Sequence, residues 1–241
     1  MERESNNRLS NNFDVIRLVL AIFVVLVHTF HHTKIGDFAL FGNYLSADYS
    51  VKGFFIISGY LIYRSLERSK DLTSYVVRRI ARLYPAYLLV ILICALVSAW
   101  VVDGELAERN FFKYLAVNAI FLNFLQPSID GVLVNHHVQA FNGALWTLKI
   151  EVMFYALVPM LFLVKERLRL AVIVCLFVAS TGYYLLFEYL ISSLEKPSLY
   201  TLQKQLPGQL RYFCVGMFAA VNFQNHVDKG SLPTLFLVPC V

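Results

Sequence analysis

Arg17 and His28 are separated by ten uninterrupted apolar residues, Leu18 to Val27. A helix turns ~100° per residue, so eleven steps bring His28 back to within ~20° of Arg17 and ~16 Å further along the axis. Ionisable groups at membrane depth are costly and by default mark a functional site. The alternative is a plain helix whose Arg17 snorkels to one interface while His28 sits near the other. Glu151 poses the same question. It stands about eight residues into an apolar segment, roughly 12 Å below its outer end. Lys149, two positions away, faces elsewhere. A carboxylate placed there must find a cation, an imidazole or a proton, and His28 is a natural candidate.

A second cationic group is Arg78, Arg79 and Arg82 in YVVRRIARLYP, residues 75–85. Positions three and four apart share a helix face, and guanidinium groups bind phosphate bidentately. A positive-inside cluster without a ligand accounts for the same residues. Ser58-Gly59 allows close approach of another helix backbone, which is favoured here over a catalytic serine. His28, His31 and His32 have a ligating spacing, but no carboxylate or cysteine stands beside them and no metal is expected. His136-His137 lie in a polar loop, solvated or touching an acceptor. Cys94, Cys175, Cys214 and Cys240 are single cysteines in apolar segments without redox or metal spacing.

These residues sit in a chain of 241 residues that is 58% hydrophobic and 15% charged, with a mean hydropathy of +0.60. Soluble domains carry about a quarter charged residues, so the composition is that of an all-α polytopic membrane protein. The net charge of +5 lies in the connections between apolar segments, where it sets topology and gives no reason to expect nucleic acid. Seven to eight hydrophobic helical segments are expected, at 13–32, 49–63, 83–102, 111–125, 143–164, 168–190, 207–223 and 232–241. No small-residue cleavage site follows the first, which is read as a retained span. The basic connections at 64–82 and 165–169 are placed inside, and the N-terminus with them. Segment 111–125 then has no room to cross and is expected to be re-entrant or interfacial on the outer side. The last segment is too short to cross, so residues 1–241 read as one membrane domain whose C-terminal part is missing.

Four stretches in order resemble the membrane acyltransferase-3 family of bacterial carbohydrate O-acyltransferases. The first is the arginine–ten residues–histidine pattern of Arg17 and His28. The second is the FF-x-x-SG element, Phe54, Phe55, Ser58 and Gly59. The third is the basic element with Arg78, Arg79, Arg82 and Pro85. The last is W-T-L-x-x-E-x-x-F-Y through Trp146, Thr147, Leu148, Glu151, Phe154 and Tyr155. Where many members have a second glutamate, this chain has Val152.

The resemblance implies an enzyme of the bacterial inner membrane that moves an acyl group, most often acetyl, from cytoplasmic acyl-CoA to a hydroxyl of an extracytoplasmic carbohydrate. The acceptor would be of lipopolysaccharide or exopolysaccharide type. The donor is a substrate, and no bound cofactor is implied. Arg17, Arg78, Arg79 and Arg82 would bind the donor, with Ser58 and Trp146 also at the substrate. His28 would be the general base, with Glu151 orienting its ring or sharing the proton, and an acyl-His intermediate is the variant route. Competing readings are a glycan or lipid transporter and a non-catalytic scaffold.

The topology has a direct check. In a cysteine-free background, single cysteines at Asp103, Asn135 and Asn142 should all react with an impermeant reagent from outside. Labelling of 126–142 only from the cytoplasm would make 111–125 a true span.

Overall fold

The computed structural model describes residues 2–33, 47–101, 105–123, 125–129, 143 and 145–228. The described residues form seven long helices and one five-residue helix: α1 (Glu2–Thr33), α2 (Ala47–Glu67), α3 (Leu72–Val101), α4 (Glu105–Ala119), α5 (Leu145–Phe162), α6 (Glu166–Leu194), α7 (Leu199–Gln203) and α8 (Leu206–Asp228). The chain divides into two compact units, Met1–Arg68 with Ala156–Val241, and Ser69–Tyr155.

The expected seven to eight apolar segments need correction. Among the described residues, three stretches are long and apolar enough to cross a membrane: Leu72–Ser98, Leu145–Phe162 and Glu166–Leu194. Lys52, Ser58 and Arg64 dilute the hydropathy of α2, and Gln209, Arg211 and Asn222 that of α8, while the segment expected at 13–32 runs beyond the residues whose side chains are described. Segment 111–125 is not a continuous helix either. α4 starts at Glu105 and stops at Ala119, where Phe121 adopts φ 61° and the chain turns back. Segment 232–241 and most of the loop expected at 126–142 lie outside the described residues.

The basic stretch also differs from expectation. Helix α3 begins at Leu72 and runs through Arg78, Arg79, Arg82 and Pro85, where a loop was expected up to Arg82. Asp71 starts it by accepting hydrogen bonds from the Ser74 N–H (2.6 Å) and the Ser74 hydroxyl (3.0 Å). These bonds to the charged form hold the Asp71 carboxyl below its usual range. The cap is therefore present above the ordinary carboxylate pKa and weakens as pH falls through the lowered one. Pro85 removes one backbone donor, which an otherwise intact helical ladder tolerates.

In the first unit, α2 packs against α8 through a glycine on each side. A Cβ on Gly59 would lie 2.2 Å from the Phe213 carbonyl oxygen, and one on Gly216 1.9 Å from that of Ile56. Small residues of this kind let membrane helices approach backbone to backbone. Phe55 and Phe213 stack beside the crossing with centroids 4.7 Å apart, and Ile62, Met217 and Ala220 are fully buried around it. Helix α1 lies on α2, with Leu20 against Gly53 and Phe13 5.0 Å from Tyr60, ring to ring. Helix α6 joins α8 through Ser180, whose hydroxyl donates to the Pro207 carbonyl (2.5 Å) and accepts from the Arg211 N–H (2.9 Å).

The second unit is built on tyrosines. Tyr87 stacks on Phe121 (4.2 Å) and donates to the Asn118 carbonyl (2.8 Å), while Tyr84 donates to that of Ala119 (3.2 Å). The Asn118 amide in turn donates to Tyr114 and Gln126 carbonyls, both at 2.9 Å, which pins the turn after α4. Two of the freed carbonyls at the end of that helix thereby find donors, as apolar surroundings require. Outward faces stay apolar: Leu89, Leu96, Val178 and Leu185 are all more than half exposed. Apolar surface of this extent suits contact with a membrane.

Candidate active-site residues

The first unit carries Arg17, His28 and Ser58. Helix α1 is unbroken from Glu2 to Thr33, so the ~16 Å separation of Arg17 and His28 holds. The Arg17 guanidinium donates to the Ser58 hydroxyl at 3.1 Å. Ser58 is itself 2% exposed, so it acts as the fixed end of this bond and positions the arginine. The small residues Ser58 and Gly59 thus serve two neighbours, α1 and α8.

His28 is exposed, next to buried Val27. Its Nδ1 lies 2.7 Å from the Val24 carbonyl oxygen. A carbonyl only accepts, so Nδ1 carries the proton. With Nδ1 donating, Nε2 is the ring atom that can accept a proton or attack as a nucleophile. The i,i−4 bond within one helix was open to discovery from spacing alone, but sequence reasoning passed over it. The His31 and His32 side chains and His136-His137 lie outside the described residues.

The second unit carries the other candidates. Glu151 accepts a hydrogen bond from the Tyr155 hydroxyl at 2.8 Å, one turn along α5. This partner is on its own helix. The Tyr155 carbonyl accepts from Tyr75 at 3.1 Å. The Arg79 guanidinium lies 5.8 Å from the centroids of both Tyr75 and Tyr155. Such an arrangement holds a cation by the ring quadrupoles. Tyr75 and Tyr155, quoted within the motifs above without a role, become functional candidates through their i,i+4 spacing to Arg79 and Glu151.

The three arginines of α3 differ in their surroundings. Arg78 is exposed and donates to the Ser69 hydroxyl, Arg82 is exposed, and only Arg79 is half-buried against the tyrosines. Trp146 stands half-buried in the first turn of α5.

Residues 10–239 match the acyltransferase domain of the acyltransferase-3 family. The chain belongs to this family. Among its curated relatives, nodulation protein 10 of Rhizobium leguminosarum bv. viciae is 29% identical over 203 residues, 78% of this chain and 53% of the relative. The O-acetyl transferase of Shigella phage Sf6 is 31% identical over 147 residues, 61% of this chain and 44% of that protein. The acyltransferase-3 chain described here thus spans about half the length of the curated relatives it matches. No solved structure gives a significant match.

Proposed function

We propose that the protein transfers an acyl group, acetyl in the simplest case, from cytoplasmic acyl-CoA to a hydroxyl of an extracytoplasmic carbohydrate of lipopolysaccharide or exopolysaccharide type. It would do so in the bacterial inner membrane with its N-terminus in the cytoplasm. Family membership supports the reaction class. The single observation that carries the reading is the His28 ring, whose Nδ1 is committed to Val24 so that Nε2 is the basic atom. Neither a coenzyme A head nor a sugar crosses hydrocarbon cheaply, so donor and acceptor must meet within the protein.

In this scheme Arg17, Arg79 and Arg82 hold the phosphorylated end of the donor, with Arg78 at the rim. Ser58 keeps Arg17 extended toward it, and Trp146 lines the substrate path. The thioester lies along α1 toward His28. Nε2 of His28 takes the proton of the acceptor hydroxyl, and that oxygen attacks the thioester carbonyl carbon. The carbon–sulfur bond breaks, and the leaving thiolate takes the proton back from the imidazolium, giving the ester and free coenzyme A. Glu151 would orient the imidazole or take part in the proton transfer, as the family resemblance implies.

Release of free thiol from acetyl-CoA by the purified protein, dependent on added glycan, tests the reading. Glycan transport across vesicles without thiol release would replace it by a transporter. At the donor end, Arg79→Ala and Arg82→Ala should raise KM for acyl-CoA about tenfold to a hundredfold while kcat changes less, because they grip a part of the donor that does not react. Unchanged donor KM in correctly inserted variants would reduce these arginines to a topology signal.

A further inference from the structure

A side chain of α3 completes the hydrogen bonding of α5. Residue 159 of α5 is proline, so it has no N–H for the carbonyl of residue 155, and its ring crowds that oxygen. A carbonyl freed within an apolar span needs a donor from a side chain or a neighbouring helix. Tyr75 supplies it: its hydroxyl donates to the Tyr155 carbonyl at 3.1 Å. Tyr75 is 1% exposed, which shuts this bond off from bulk water. Further along the same two helices, Tyr87 and Ile91 of α3 share a buried cluster with Leu145 of α5.

Two functional candidates depend on this bond. The Tyr155 hydroxyl donates to the Glu151 carboxylate at 2.8 Å, one turn back along α5. Holding the Tyr155 backbone therefore fixes where that hydroxyl, and with it the carboxylate, can stand. The Arg79 guanidinium lies 5.8 Å from the centroids of the Tyr75 and Tyr155 rings. Tyr75 thus serves two neighbours with different parts of one side chain. Its ring faces Arg79, while its hydroxyl serves the Tyr155–Glu151 pair.

We propose that Tyr75 is a positioning residue for the transfer reaction, its hydroxyl replacing the hydrogen bond that Pro159 denies to α5 and so holding the Tyr155–Glu151 pair in place. This rests on the acyltransfer reading for what Glu151 and Arg79 do. Tyr87 gives a matched comparison. It is also buried and donates to a backbone carbonyl, that of Asn118, at the turn after α4.

The test is a cycle between Tyr75 and Pro159 in the full chain, in nanodiscs, with glycan-dependent thiol release and thermal midpoint as readouts. Tyr75→Phe keeps the ring over Arg79 and removes only the hydroxyl. It should lower kcat about tenfold while KM for acyl-CoA stays within about twofold. Pro159→Ala supplies the missing N–H and should by itself leave kcat unchanged. Added to Tyr75→Phe, it should bring kcat back to within about twofold of the parent. Tyr75→Leu, which lacks the ring as well, should also raise KM for acyl-CoA. Tyr87→Phe should lower the thermal midpoint and leave kcat alone. Parental kcat in Tyr75→Phe, no rescue by Pro159→Ala, or an equal loss of kcat in Tyr87→Phe overturns the proposal. Should Tyr75→Phe fail to insert, an inserted and active double variant supports it, and a double variant that also fails overturns it. The midpoints separate this proposal from the reading it rests on. A loss in Tyr75→Phe that shrinks in the Pro159→Ala background, in a parent that releases no thiol, would keep Tyr75 as the donor α5 lacks and sink the acyltransferase reading instead.

Discussion

His28→Ala should insert and accumulate like the parent protein, bind acyl-CoA normally, and lose about 10²–10⁴-fold in kcat. The expectation follows from two observations. His28 lies on one unbroken helix with Arg17, ~16 Å further along, and its Nδ1–H is tied to the Val24 carbonyl, leaving Nε2 as the proton acceptor. The lost group is exposed, so folding should not suffer. Replacement of His31 or His32 should cost far less, because water at the interface can substitute for either. Arg17→Ala should show the converse pattern: weaker donor binding, with turnover largely recovered at saturating acyl-CoA. Its partner Ser58 gives an internal control, since Ser58→Ala removes only the 3.1 Å bond that steadies Arg17 and should raise KM modestly. Near-normal turnover in His28→Ala with activity abolished in His31→Ala or His32→Ala would refute the assignment.

Gly216→Ala is the second large effect, and it acts on the fold. The added Cβ would stand 1.9 Å from the Ile56 oxygen and 2.6 Å from the Tyr60 nitrogen, both backbone atoms of α2. A flexible side chain could swing away, but a helix backbone cannot, so α2 and α8 must separate. The cost should be about 3 kcal/mol or more, at the upper end of overpacking penalties. Because α2 also carries Ser58, the loss should reach Arg17 and donor binding with it. Gly182→Ala is the matched control, since nothing lies within 4 Å of its added Cβ. Thermal loss of the monodisperse peak in detergent should come much earlier for Gly216→Ala and be unchanged for Gly182→Ala. Identical midpoints for the two would mean that the close crossing does not hold the first unit together.

Much of this protein was determined by local physics that a sequence displays. Apolar composition required a lipid-covered helical protein, and the ten residues between Arg17 and His28 required one face and one helix, because helical periodicity is set by the backbone alone. The order of the four short stretches was enough to indicate the family. Contacts between residues distant in the chain were not legible. Gly59 announced a close approach, but only packing chose Gly216 and Phe213 of α8 as what approaches. Arg78 and Arg79 are adjacent in sequence, yet one turns to Ser69 and the other to the rings of Tyr75 and Tyr155. The start of α3 at Leu72 was hidden because the basic residues up to Arg82 read as a connection between apolar segments. Tertiary structure alone decided these, since a side chain's partner across helices depends on which faces meet, and facing is a property of the packed bundle.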